Sequence, residues 1–359
     1  MKRKMNKTRK HPLLLILLCI LYTTFIYGQQ RDSIESRRKT IVKLKLPITL
    51  GITGSTFPGM ISAIDSNQYG FSIANLNLNI PIFFHLKLGD LRNPIKFSTL
   101  FFSSSSGYGQ LAPAAGLPGN PVYSQMLGLT YLKGELKNNY IAGLYAFENA
   151  DEKRFLDAPP GIAGLFLYSH TTRNKNTIIA GAGLLVSNGT VIGCPVIGYL
   201  GKISSKWSYL IVLPAVASIN YKANKKNSIS MLLAPQGNYF KLTNNSDSVS
   251  IADTTVKVKN FTFQTGSIKT GFSWTRKIAN RFELYTEAGF LIGNSISVFN
   301  EDLRLKENLA MSPYFQIGIT INLTNTKVKQ SGGNKDSSNP LNKKHFTPSM
   351  YNIERIFLD

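Results

Sequence analysis

Catalysis by side chains needs a nucleophile and a base within reach of each other, and beyond residue 28 this chain offers only His85, His170 and His345 as imidazole bases. Ser169 and His170 are adjacent, so on an extended strand they point to opposite faces and cannot pair. A base two positions before Ser187 could activate it, but Leu185 stands there, and Asn188-Gly189 reads as the turn of a hairpin. Glu283 and Glu287 share a strand face with Arg281. At about 3.3 Å per residue their carboxylates stand roughly 13 Å apart. That is too far for a glycosidase pair, so they read as wall charges balanced by Lys or Arg on neighbouring strands. Cys194 is the lone thiol after residue 28, which makes neither an internal disulfide nor a metal site. No phosphate loop, zinc spacing or calcium loop is present. The expectation is a protein that is not an enzyme and carries no cofactor or metal.

The elements that would position such side chains are long and alternating. From Ser72 to Leu88, Leu76, Leu78, Ile80, Ile82, Phe84, Leu86 and Leu88 fall on one face, with Asn75, Asn77, Asn79, His85 and Lys87 on the other. A period of two means a β-strand with one apolar and one polar face. The run exceeds the five or so residues of an ordinary soluble strand and suits a tilted strand that crosses a bilayer. Val42, Leu44, Leu46, Ile48 and Leu50 repeat the pattern against Lys43, Lys45 and Thr49. Phe282, Leu284, Ala288, Phe290 and Ile292 oppose Arg281, Glu283, Tyr285 and Glu287. Phe315, Ile317, Ile319, Ile321 and Leu323 oppose Gln316, Thr320 and Asn322.

Further strands are expected at 95–103, 122–136, 140–148, 161–170, 177–187, 190–202, 207–221, 228–240 and 258–276. Near Gly266 the apolar phase shifts, which predicts a bulge. Tight turns are expected at Asn138-Asn139, Asn188-Gly189, Ser204-Ser205 and Ala279-Asn280. Longer polar stretches fall at 52–68, 104–121, 149–160, 241–257 and 299–311. Short turns alternating with long loops is the two-sided asymmetry of transmembrane barrels. Thirteen segments can be marked, and an antiparallel barrel with both termini on one side needs an even number; the reading is 12 strands, with 14 next. The miscounted segment is expected between 161 and 240.

Lys2, Arg3, Lys4, Lys7, Arg9 and Lys10 precede an apolar run from Leu13 to Ile26, the layout of a secretory signal peptide over 1–28. Residues 29–39 then form a short periplasmic segment, 40–324 the barrel, and 325–359 a polar tail without periodicity. The formal net charge is +22, of which six positive charges lie in the leader, leaving +16. Charged residues make up 17% of the chain, below the roughly 25% usual for soluble domains. Aromatic residues crowd expected strand ends: Tyr69, Phe83, Phe97, Tyr123, Tyr140, Phe147, Trp207, Tyr209, Tyr239, Trp274 and Tyr314. Rings of this kind form girdles at membrane interfaces.

Pro195, Ile197-Gly198-Tyr199, Lys202, Lys206-Trp207, Leu213-Pro214, Ile219, Tyr221, Asn224 and the Gly237-x-Tyr239 pair give the stretch 195–239 a resemblance to a family of uncharacterised porin-like outer-membrane barrels of Gram-negative bacteria. The resemblance implies fold and location, and it carries over no catalytic residue. The resulting expectation is an antiparallel, all-β transmembrane barrel in the outer membrane, in contact with outer-membrane lipid and lipopolysaccharide. Small solutes are its other expected partners, with no nucleic acid. Lys43, Lys45, Asn75, Asn77, Asn79, His85, Lys87, Arg281, Glu283, Glu287, Gln316 and Asn322 are expected to face the lumen. The basic members would favour anions. A narrow solute pore is the first reading, a non-conducting structural or partner-binding barrel the second, and a membrane-embedded lipid hydrolase the third. On cell fractionation the protein should sediment with the outer membrane and resist salt and carbonate extraction; recovery in the soluble periplasm would reject the barrel.

Overall fold

The computed structural model describes residues 46, 48–61, 68–87, 96–111, 119, 121–135, 137–155, 160–187, 190–243, 249–251, 254–256, 259–279, 281–300 and 304–323. The leader, the periplasmic segment and the polar tail expected from the sequence lie outside these residues, as do Lys43 and Lys45. The described chain consists of strands and the turns between them, with no helix. In order these are β1 (Thr49–Ile61), β2 (Gln68–Lys87), β3 (Lys96–Leu111), β4 (Pro121–Glu135), β5 (Asn138–Asp151), β6 (Gly161–Thr171), β7 (Thr177–Ser187), β8 (Thr190–Lys202), β9 (Trp207–Leu213), β10 (Val216–Lys222), β11 (Asn227–Thr243), β12 (Val249–Ile251), β13 (Thr254–Val256), β14 (Asn260–Lys277), β15 (Phe282–Phe299), β16 (Arg304–Asn308) and β17 (Ser312–Asn322).

Fourteen of them close into one antiparallel barrel: β1 to β11 in sequence order, then β14, β15 and β17, which pairs back onto β1. β16 extends the β15 edge, and β12 and β13 form a small separate hairpin. The count is therefore 14 and not 12. The miscounted segment is 207–221, which reads as one run but folds as β9 and β10. The chain reverses at Pro214-Ala215, and Val212 pairs with Val216. No Asn or Gly marks that turn, and apolar residues flank it on both sides, so periodicity passes through it unbroken. Among the described residues the first strand begins at Thr49, residues 42–45 and 47 of the expected strand lying outside them, and it occupies much of the stretch expected to be a loop. β3 likewise continues through the serine run to Leu111; there Ser106 Oγ donates to Gln125 Oε1 at 2.7 Å and Ser104 Oγ accepts from Gln125 Nε2 at 3.4 Å.

Along the strands alternate residues turn into the ring and the intervening ones turn outward. Ile52, Leu76, Leu129, Leu144, Phe166, Ile178, Ile197, Ile211, Ile219, Met231, Phe272, Phe290 and Ile317 are all exposed on the outer face. Apolar side chains outward is the inverse of a soluble barrel and suits a hydrocarbon surround. Two levels of paired rings border this belt. Near the short-turn end lie Tyr140–Tyr168, Tyr199–Tyr209 and Trp207–Tyr221, with ring centroids 5.2, 5.7 and 4.7 Å apart. Near the other end lie Tyr108–Tyr123 and Tyr239–Phe299, at 5.5 and 6.5 Å. Of the aromatics expected in girdles, Tyr69 and Tyr314 instead point inward and are buried, and Phe97 and Phe147 pack inward over Gly134 and Gly161.

Three bulges reset the faces, the first in β1 between Phe57 and Met60. In β2 the register slips between Pro81 and Phe83, so Phe84 pairs with inward Thr99 and His85 with outward Ser98. In β15 two residues, Gly293 and Asn294, stand opposite Ser267 alone. Gly293 has φ of +62°, a conformation that side chains disfavour. The bulge expected near Gly266 thus sits on the neighbouring strand, and β14 keeps one inward set, from Phe261 through Lys269 to Ser273. Its apolar phase changes because the interior itself turns apolar at one end.

Leu111, Pro121, Asp151, Gly161, Thr243, Asn260 and Phe299 end their strands at one end of the barrel, whereas the turns 172–176, 203–206 and 223–226 lie at the other, where β1 starts and β17 ends. Leu78 and Ile80 occupy outward positions of β2, and Asn77 and Asn79 inward ones, each Asn paired to a hydroxyl-bearing residue of β3 (Ser105, Ser103). An Arg on the lipid face near mid-bilayer costs roughly 2–4 kcal/mol. Ile80→Arg should therefore lower the urea midpoint of the barrel refolded in lipid vesicles by much more than Asn77→Arg. Equal midpoints would mean that the two faces are exchanged.

Candidate functional site in the barrel lumen

Inside the ring the side chains divide by chemistry. On one wall, Asn75, Asn77 and Asn79 of β2 stand level with Thr53, Gly51 and Thr49 of β1. In the same register Gly51 meets Thr320, Thr49 meets Asn322, and Ser55 meets Gln316 of β17. Gln316 in turn pairs with Glu287, and Thr320 with Glu283. The resulting wall is made of amides, hydroxyls and two carboxylates. The facing wall is apolar: Ile141, Leu167, Ile179, Val196, Leu210 and Val212 from β5 to β9 pack together as one buried cluster.

Glu287 is a buried charge held from both sides. It is 2% exposed, lies 3.2 Å from Lys269 Nζ of β14, and accepts a 2.8 Å hydrogen bond from Tyr314 Oη of β17. Three adjacent strands thus supply the carboxylate and both of its partners. Tyr314 reaches it by lying across Gly289 and Gly271, which are paired with each other and, through Gly289, with Tyr314 itself. A methyl group at Gly271 would stand 2.8 Å from the Tyr314 hydroxyl, so glycine is what lets the ring lie flat there.

The long-loop end is filled. Phe57, Tyr69, Phe71, Leu111, Val122, Phe240, Leu242, Phe261, Phe263, Leu291, Ile296, Val298, Leu309 and Tyr314 form a single buried cluster across the ring. Phe57 and Phe71 stack at 4.3 Å, and Phe71 meets Phe240 edge-on at 6.3 Å from the far side of the barrel. At this level β5 and β11 meet directly, Ala150 pairing with Lys241 in parallel. Asp151 secures the junction by accepting from the amides of Thr243 and Arg154.

The sequence-derived lumen set is only partly gathered. Asn75, Asn77, Asn79, Glu283, Glu287, Gln316 and Asn322 share the register described above. His85 does not, since the β2 bulge turns it to the exposed outer face. Lys87 pairs with Lys96 in the backbone register. Arg281 lies exposed in the turn before β15 rather than on its face. The basic residues on which an anion preference would rest are therefore not assembled on one described wall. Ser169 and His170 stand on opposite faces, bonded to Asn139 at 3.4 Å and Asn138 at 2.7 Å respectively.

Sequence reasoning missed Lys269 and Tyr314 as the partners of Glu287. A lysine between Ile268 and Thr270, opposite the outward phase of Phe272, was the signal for the first. Nothing in the sequence distinguishes Tyr314 from an interfacial tyrosine.

No family model and no curated protein matches the chain. Several solved structures resemble it weakly. An outer membrane channel from Pseudomonas putida shares 8% identity over 80% of this chain and 99% of its own, with a TM-score of 0.40. LpxR from Salmonella typhimurium shares 9% over 76% and 99%, with a TM-score of 0.32. A Pseudomonas aeruginosa FadL homologue shares 8% over 77% and 90%, with a TM-score of 0.27. The class of the protein, a closed fourteen-stranded antiparallel β-barrel with an apolar exterior, stands on its own strand pairing.

Removing one partner of a buried ion pair typically costs about 3–5 kcal/mol, because the other charge is left stranded. Lys269→Met should destabilise the barrel by an amount of that order in equilibrium unfolding, and adding Glu287→Gln should restore much of it. A Lys269→Met variant as stable as the unmodified protein would show that Glu287 is not held as an anion.

Proposed function

We propose that this chain is an integral protein of the Gram-negative outer membrane whose lumen is a closed polar compartment rather than an open ion path. The observation that carries this reading is the aromatic and aliphatic cluster at the long-loop end, which spans the ring from Phe71 to Phe240. Ions crossing it would lose their hydration with nothing to replace it, at a cost of many kcal/mol. The apolar belt between two levels of aromatic rings supports the membrane setting. The wall from Asn75 to Asn322 supports a lumen that holds water and small polar groups. Were the cluster to move aside, the same wall would line a narrow solute path, which is the second reading.

Purified protein in planar bilayers should show no steady conductance under an applied potential. The double variant Phe71→Ala with Phe240→Ala should conduct, because it removes both sides of the cross-barrel contact. Steady single-channel current from the unmodified protein would overturn the closed reading.

A further inference from the structure

The barrel wall is incomplete on one side. β8 pairs with β7 along Thr190–Leu200, but its other edge pairs with β9 only over Ile197–Lys202. β11 pairs with β14 along its whole length, but with β10 only over Ser228–Leu233. β9 and β10 stop at Leu213 and Val216, well short of their neighbours. Above that turn, among the described residues, no strand pairs with the second edge of β8 over Thr190–Val196. The same edge of β11 has no pairing until Lys241 meets Ala150. Each free stretch contains a proline, Pro195 and Pro235, a residue that sheets confine to edges.

This gap lies within the apolar belt. On β8 it starts above the Tyr199–Tyr209 level, and on β11 it extends to Tyr239 of the opposite level. Val191 and Ile197 flank it outside, at 64% and 68% exposure. Its two inner banks differ in chemistry. On the β7–β8 bank Leu185 and Ile192 face inward yet remain 37% and 54% exposed, with Cys194 and buried Val196 on the same face. A mostly apolar depression of about 650 Å³ beside this bank is lined from both faces of the sheet, by outward Phe166, Leu184 and Pro195 as well as by inward Leu165 and Cys194. On the β11–β14 bank the inward residues are Gln236, Asn238, Ser267 and Lys269.

Backbone groups left unpaired toward hydrocarbon cost several kcal/mol each. The apolar side chains of the β8 bank suit an alkyl chain, whereas the amides, hydroxyl and ammonium of the β11–β14 bank, with the unpaired groups of the β11 edge, suit a polar head. We infer that the gap admits a membrane lipid sideways, its alkyl chain along the β8 bank and its polar head toward the β11–β14 bank. The inference rests on the membrane setting proposed above, and it names the route and the substrate class of the closed lumen: an amphiphile bearing a long alkyl chain.

The chain supplies its own probes. Trp207 and Trp274 occupy outward positions, and Cys194 is half-buried on the inner face. The protein is reconstituted in vesicles of phosphatidylcholine with brominated acyl chains, after a bimane fluorophore is attached to Cys194. Quenching of the tryptophans tests the membrane setting, and quenching of the bimane tests the gap. Both should be quenched. Bimane at Ser105→Cys in a Cys194→Ser background, on the opposite wall, should stay bright. Ile192→Arg should relieve quenching at Cys194 and leave that of the tryptophans unchanged. Quenched tryptophans with a bright Cys194 label would overturn the gap and leave the membrane setting standing. Unquenched tryptophans would overturn both. Equal quenching at Ser105→Cys would mean that lipid enters elsewhere, and the gap would again fail.

Discussion

The ring depends on β17 reaching β1, which removes the edges that the first and last strands would otherwise expose. Thr49 through Thr56 pair with Asn322 through Phe315, joining the last strand to the first. Every other feature follows from that ring. In hydrocarbon no water is available to backbone amides, so pairing must be internal. Once the ring is fixed, the pleat assigns each residue to the outer face or the lumen with no freedom left. A single extra residue then has large effects: one bulge at Ile82 reverses the roles of Phe84 and His85, and one at Gly293 brings Ile296 and Val298 into the interior cluster.

The interior is built by position rather than by composition. The polar wall of β1, β2, β15 and β17 faces an apolar wall of β5 to β9, and a hydrophobic cluster closes the end where β5 meets β11. Glu287 shows how a charge is tolerated in such a place. Lys269 and Tyr314 approach it from both flanking strands, and paired glycines give the tyrosine ring room to do so. Such a pair is worth little as stability, but it fixes the alignment of three strands.

The closed end and the incomplete wall have a common origin. β6 to β10 are short, whereas β5 and β11 run past them. Where the long strands meet, the ring narrows enough for phenylalanines to touch across it. Where the short hairpin β9–β10 stops, the ladder opens. A barrel with uniform strands would have neither feature.

The sequence by itself determined the class of fold, because a period of two with apolar residues on one face is imposed by the pleat and survives in any tertiary setting. It also located the region of the miscounted strand and grouped Asn75, Asn77 and Asn79 on one face of β2. It could not reveal the Pro214-Ala215 reversal, since both arms are apolar and the turn lacks Asn or Gly. Nor could it place His85, because a bulge depends on the partner strand. Tyr69 and Tyr314 look like interfacial aromatics on paper, and only ring closure decides that they point inward. The Lys269–Glu287–Tyr314 contact and the gap beside β8 depend on which strands become neighbours and how far each extends. Those are properties of the closed ring, absent from any one strand.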